Sequence, residues 1–210
     1  GRHIYKREPS FPIAVACDPA FNFVYEANIR YLHHLGEVTY FSPLADTSLP
    51  DAGFVYLPGG YPELYLAALS ANRQMLQSIR RYVESGGKLL AECGGMMYLC
   101  DEIRDKNGDV YPMAGVLHQS ATMENMKLRL GYRTLLCNET RLKGHEFHYS
   151  RLVEQQNPLP SCAVAYTAKG VETDTPLYHY KNVWAGYTHL YWADPVGNEW
   201  FTKFVIDGNT

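Results

Sequence analysis

The first half of the chain switches repeatedly between two hydrophobic rhythms. PIAVAC (12–17) is short and wholly apolar apart from its proline, the pattern of a buried strand. FNFVYEANIRYLHHLG (21–36) spaces Val24, Ala27, Tyr31 and Leu35 at helical intervals, and Gly36 predicts the C-cap. EVTYF (37–41) reads as the next strand, and GFVYLPGG (53–60) as a third that ends in a glycine turn. ANRQMLQSIRRYVESGG (71–87) puts Leu76, Ile79 and Val83 on one helix face and closes on two glycines. KLLAE (88–92) is a fourth strand that runs straight into Cys93. Alternation of this kind predicts a mainly parallel sheet covered by helices, with a site at the carboxyl ends of its strands. Two glycine-bearing turns fall there, Gly59-Gly60 and Gly94-Gly95.

The rhythm changes in the second half. MKLRLGYRTLL, GHEFHYSRLV, CAVAYTA and PLYHYKNVWAGYTHLYW are short, β-rich and aromatic, which predicts antiparallel strands beside or extending the first sheet. DPVGNEWFTKFVID (194–207) predicts a closing helix. No repeat or low-complexity tract interrupts the chain.

Length and composition narrow the picture. At 210 residues one domain is the default, and 46% hydrophobic with 20% charged residues is ordinary globular composition. A net charge of -3 without a basic stripe argues against nucleic acid. No apolar run reaches the roughly 20 residues that span a bilayer, and the polar start GRHIYKREPS lacks the apolar core of a secretory signal. Residues 1–10 read as a linker remnant. The cysteines Cys17, Cys93, Cys100, Cys137 and Cys162 are odd in number and include no pair at metal-ligand spacing, so reduced thiols in the cytoplasm are expected and no metal site.

One cysteine stands apart. In AECGGMMYL (91–99) Cys93 sits where a strand turns sharply into a helix, with two glycines beside it. Such a corner exposes a nucleophile in a strained backbone position, and small neighbours avoid clashes. The first helical turn aims free N–H groups at whatever the nucleophile attacks, and its dipole favours thiolate. Cys93 is therefore the expected nucleophile, and Cys17, Cys100, Cys137 and Cys162 are read as structural. A thiol nucleophile needs a base. His3 lies in the linker, His33 and His34 on the first helix, His118 in a loop after the nucleophile helix, and His179 in the late β-region. His145, His148 and His189 remain as candidates.

DPAFNFVYEAN (18–28), YFSPLADTSLP (40–50), LPGGYPELYLAALSAN (57–72), AECGGMMYL and GHEFHYS (144–150) together resemble the C-terminal glutaminase domain of the cobyrinic (hydrogenobyrinic) acid a,c-diamide synthase family, over about residues 11–200. The resemblance implies a flavodoxin-like α/β fold of the class I glutamine amidotransferases, with helices on both faces of a mainly parallel sheet and antiparallel additions in the second half. It implies Cys93 as nucleophile, His189 in GYTHLYW as base, and Gly59, Gly60 and Gly94 around the oxyanion and glutamine. Most class I relatives carry a glutamate two residues after the histidine; here that position is Tyr191, a departure shared by the cobyrinate family. What orients His189 stays open between Glu92 and a backbone carbonyl.

The same resemblance implies an ATP- and Mg2+-dependent N-terminal domain. No G-x-x-x-x-G-K-[ST] motif occurs here, so residues 11–210 are expected to be the glutaminase part, with the linker remnant at a domain boundary and no cofactor of its own. Its expected partners are glutamine, the missing domain, a corrinoid at the junction and a second copy of itself. Tyr149, His145 and His148 are the side chains expected to face the corrinoid. Other readings are a cobyric acid synthase, a nickel-tetrapyrrole diamide synthase, a cysteine hydrolase on the same sheet, and a docking module without activity.

Overall fold

The computed structural model describes residues 11–207; the linker expectation for residues 1–10, His3 included, lies outside the described residues. The chain opens with β1 (Pro12–Ala16), α1 (Glu26–Leu35), β2 (Glu37–Phe41) and β3 (Phe54–Leu57). A single 3-10 turn, Pro62–Leu64, precedes α2 (Leu66–Ala71), α3 (Arg73–Glu84), β4 (Leu89–Glu92) and α4 (Gly94–Leu99). Then come β5 (Cys100–Arg104), β6 (Val110–Pro112), β7 (Leu117–Thr122), β8 (Arg129–Cys137), β9 (Thr140–His148) and β10 (Arg151–Leu152). The remainder is β11 (Val164–Thr167), β12 (Glu172–Thr173), β13 (Leu177–Tyr180), β14 (Val183–Gly186), β15 (His189–Leu190) and α5 (Pro195–Thr202), which runs into a π-helical turn, Lys203–Asp207.

The central six-stranded sheet has the order β2–β1–β3–β4–β14–β13. All neighbours are parallel except the edge strand β13. With β14 as fifth parallel strand this is the expected flavodoxin-like order. Alternate residues feed two layers, as strand geometry requires. Ile13, Val15, Phe54, Tyr56 and Trp184 pack with Leu32 of α1 and Phe201 of α5. Ala14, Val55, Leu57 and Ala91 face Met75, Ile79 and Val83 of α3 and Met96 of α4. Helices thus cover both faces.

Two smaller sheets complete the fold, β10–β7–β5–β6 and β12–β11–β8–β9–β15. The first was not expected from the sequence: residues 100–122 lack strict alternation, and His118 lies on β7 against Asp101 at 3.1 Å rather than in a loop. β14 also differs from expectation, because it joins the central sheet parallel to β4, not as an antiparallel addition. α1 begins several residues later than its apolar spacing suggests. The Asp18 carboxylate accepts the N–H groups of Ala20 and Leu44 and the Ser42 hydroxyl, which fixes 18–23 as a loop. The buried face of α1 is Asn28 and Leu32. Cys100 and Cys137 are buried as read, but Cys17 and Cys162 are exposed and fill no core.

Candidate active site

Cys93 is the N-cap of α4 with φ 52° and ψ −108°, a conformation that costs a non-glycine residue about 1–3 kcal/mol. The strain is held from both sides. The Cys93 N–H donates to Gly186 O of β14 at 2.7 Å, and the Met97 N–H donates to Cys93 O at 3.0 Å. The side chain is 4% exposed, with Sγ 3.5 Å from Phe147 O on β9. Burial pushes the thiol well above its ordinary pKa, and the nearby Glu63 carboxylate adds to this; the Gly94 N–H pulls the other way and loses. The expected thiolate is therefore corrected. α4 is only six residues long and its start is wholly buried, so desolvation outweighs its dipole and the resting sulfur is a thiol.

His189 comes from β15, which pairs antiparallel with β9 so that His189 lies opposite His145, and His145 lies opposite Tyr132 on β8. This register lines the three side chains in one row on one sheet face. The rings of His189 and His145 stack at 5.0 Å, and Phe23 meets His189 edge-on at 4.6 Å. Burial, reinforced by His145 and His148, lowers the His189 pKa to about 3, so the imidazole is neutral and able to accept a proton.

The turn after β3 connects the two groups. A Cβ on Gly59 would collide with His189 Cε1 and stand 2.9 Å from Nδ1, so only glycine lets the ring lie against this peptide. Gly60 has φ +153°, and a Cβ there would strike Ala20 O. On the other side, the Cβ position of Gly94 is 3.3 Å from Gly60 N and 2.7 Å from Pro62 Cδ. Gly59, Gly60 and Gly94 thus lie together between His189 and Cys93. The Phe23 N–H donates to Gly59 O at 3.1 Å and ties the turn to the 18–23 loop.

Glu92 is 1% exposed. It accepts from the Tyr56 hydroxyl and, at 2.9 Å, from the Leu190 N–H. It therefore fixes the backbone next to His189 and makes no bond to the imidazole. Burial raises its pKa to about 8 despite both hydrogen bonds.

Of the remaining candidates, only His145 joins the cluster, through its stack and a hydrogen bond between its Nδ1 and the Tyr25 hydroxyl. His148 lies on the opposite face of β9, which corrects the expectation that it faces a ligand beside His145. Its Nδ1 meets Ser150 O at 2.7 Å and its Nε2 meets Glu146 Oε1 at 2.7 Å. Both nitrogens are engaged by protein oxygens, so neither is free to serve Cys93 as a base. Its ring stacks on Tyr187 at 3.6 Å. Tyr191 is 38% exposed and packs edge-on against Tyr25. Tyr149, with His148, lines a cavity of about 790 Å3 whose walls include Arg129, Thr175 and Tyr187; neither Cys93 nor His189 lines it.

Sequence reasoning missed the buried network behind this site. Glu146 is bonded by Arg133 at 2.8 Å and Thr175 at 2.6 Å, besides His148 and Arg129. Burial alone would raise its pKa; the bond from His148 leads a set of partners that instead pulls it down to about 2. Phe23, Tyr25 and Tyr187 were missed too, since aromatics in loops carry no period.

These shifts set a pH dependence of stability. Above 6.5 His189 is neutral folded or unfolded; below it the unfolded chain takes up a proton that the folded chain refuses until about 3, so stability falls toward acid. Glu146, held ionised down to about 2 against 4.5 unfolded, acts in the same direction. Glu92 acts oppositely: unfolded it ionises above 4.5, folded only near 8, so stability falls as pH rises through that window. Thermal unfolding should therefore show its highest midpoint between about pH 4.5 and 6.5. Glu92→Gln should flatten the alkaline limb, recovering a few kcal/mol relative to wild type between pH 5 and 8; an unchanged slope would disprove this account of Glu92.

A family model for the CobB/CobQ-like glutamine amidotransferase domain matches residues 12–196. The chain is 40% identical over 185 residues to a hydrogenobyrinate a,c-diamide synthase of Pseudomonas aeruginosa, covering 85% of this chain and 41% of that protein. It is 40% identical over 188 residues to a cobyrinate a,c-diamide synthase of Fusobacterium nucleatum, with the same coverage of 85% and 41%. The chain thus spans about two-fifths of the length of these curated relatives. Among solved structures, PurLQS from Thermotoga maritima matches with a TM-score of 0.58 and 16% identity, over 94% of this chain and 96% of that one. A structure described as a glutamine amidotransferase matches with a TM-score of 0.54 and 16% identity, over 92% and 98%. At such identities these two structures bear on the fold alone.

Proposed function

This chain belongs to the CobB/CobQ-like family of glutamine amidotransferases, and from that premise we propose that Cys93 and His189 hydrolyse glutamine to supply ammonia to an amide ligase. The observation that carries this reading is the strained Cys93 corner, joined to the His189 ring through the Gly59-Gly60 turn. The Cys93 thiol passes its proton to neutral His189 as sulfur attacks the side-chain amide carbon of glutamine. Backbone N–H groups of Gly60 and Gly94 are the donors for the tetrahedral oxyanion. His189 returns the proton to the leaving nitrogen, the C–N bond breaks, and ammonia departs from a glutamyl thioester. Water, deprotonated by His189, then cleaves the thioester to glutamate and free thiol.

The acceptor is named by the relatives, which are cobyrinate and hydrogenobyrinate a,c-diamide synthases. By that likeness the ammonia amidates the a and c acetate groups of a corrinoid in cobalamin biosynthesis, in the cytoplasm. Activation of those carboxylates calls for ATP and Mg2+. Among the described residues no three His, Cys, Asp or Glu side chains converge as a metal site. That chemistry is assigned to the rest of a longer protein, and no step through it is derived for this chain. An exposed aromatic rim supports docking of such a partner around His189: Tyr132, Phe23 and Tyr191 are all open to solvent.

A glutamine-mimicking diazo-oxo-norleucine tests the reading. It should label Cys93 in step with loss of glutamate release, although Cys17 and Cys162 are far more exposed. Labelling of either exposed thiol with Cys93 untouched would end this mechanism.

A further inference from the structure

One acidic side chain near Cys93 has only its own backbone N–H as a donor and leaves its second carboxylate oxygen unbonded. Glu63 sits in the 3-10 turn Pro62–Leu64, which packs on α4 with Pro62 Cδ against Gly94. Its Oε2 atom is buried and bonds to nothing. The contrast with its neighbours is sharp. Both oxygens of Glu92 accept a hydrogen bond, and Glu146 is held by Arg133, Thr175, His148 and Arg129. No ion pair reaches Glu63 among the described residues, and the ionisable groups it senses are Cys93, His148 and Tyr187.

A buried carboxylate oxygen without a donor loses the hydration of its charge and gains nothing in return. A fold keeps such a group where it raises the thiol pKa only if something else supplies the donor. The ligand that must enter here carries one. Glutamine presents its side-chain amide to Cys93, and four bonds from the amide carbon lies the nitrogen of its α-ammonium, with three N–H donors. We propose that Glu63 binds the α-ammonium of glutamine and so selects the free amino acid over amides that lack an amine. The proposal rests on the glutaminase reading above. It also explains why the carboxylate stands beside the nucleophile: with the ammonium bound its charge is neutralised, and its opposition to ionisation of Cys93 falls away when substrate is present.

The test uses the whole protein and two amides, glutamine and glutaramate, which is glutamine without its amino group. Glu63→Gln keeps the shape and removes the charge. It should raise KM for glutamine at least about tenfold with kcat changed less than about threefold, and should not slow glutaramate turnover, so the preference for glutamine shrinks by at least that factor. Iodoacetamide, which has no amine to neutralise Glu63, should alkylate Cys93 faster in Glu63→Gln than in wild type, because the charge that opposes ionisation of the thiol is gone. A loss in kcat with unchanged preference would place Glu63 on the reacting atoms and overturn the proposal, as would no change at all. If Glu63→Gln does not fold, Glu63→Asp is read by the same preference ratio. Wild type that hydrolyses neither amide overturns the glutaminase reading itself, whereas hydrolysis with undiminished preference in the variant overturns Glu63 alone.

Discussion

Cys93→Ala should abolish glutamine-dependent amidation by the whole protein while ammonia-dependent amidation continues. The expected loss is roughly four to six orders of magnitude, as when a covalent nucleophile is removed, because no other thiol reaches the site. Cys100 is buried on β5 with Sγ directed to Met96 O. Cys137 lies in the opposite core layer. The ammonia-dependent rate should persist, since Cys93 takes no part in activating the acceptor. Stability adds a second readout. Cys93 occupies φ 52°, where alanine is strained as cysteine is but glycine is not. Cys93→Gly should therefore unfold at a higher temperature than wild type, by the equivalent of about 1 kcal/mol, while remaining inactive. A Cys93→Gly protein no more stable than Cys93→Ala would mean that the corner stores no strain.

The strand and helix rhythm made the central sheet legible, because the apolar runs of β1, β3 and β4 are buried on both sides and each helix shows one apolar face. EVTYF is observed as β2 over Glu37–Phe41, the bounds its pattern gives. Cys93 was legible for the same reason: a strand, a cysteine and two glycines in succession admit few geometries. What the sequence hid was whatever depends on partners far along the chain. Position 92 follows an apolar run, and nothing local says that its carboxylate meets Tyr56 and Leu190. His145 and His148 are three residues apart on one strand, so they point to opposite faces, and only the pairing of β9 with β15 says which one meets His189. Glu63 lies within LPGGYPELYLAALSAN, yet its unbonded Oε2 atom is a three-dimensional fact. The thiol's raised pKa is another, since the local signal is the helix dipole and the deciding quantity is burial.

His189→Ala should cost roughly a hundred- to ten-thousandfold in glutamine-dependent rate, the usual worth of general acid–base catalysis, with ammonia-dependent rate preserved. The sharper test lies in Gly59. Its backbone is outside the left-handed region, so alanine is tolerated by the chain itself, and the damage comes only from the Cβ meeting His189 Cε1. The ring cannot retreat freely, because His145 stacks on one side and Phe23 closes the edge. Gly59→Ala should thus displace the imidazole from its place against the turn and His145, and lose about tenfold or more in rate, with a small change in unfolding midpoint. If that loss acts through the ring, it disappears once the ring is gone: Gly59→Ala,His189→Ala should be no slower than His189→Ala alone. Fully additive losses would instead assign Gly59 a role through its own peptide N–H, and would move the close approach of ring and glycine from catalysis to packing.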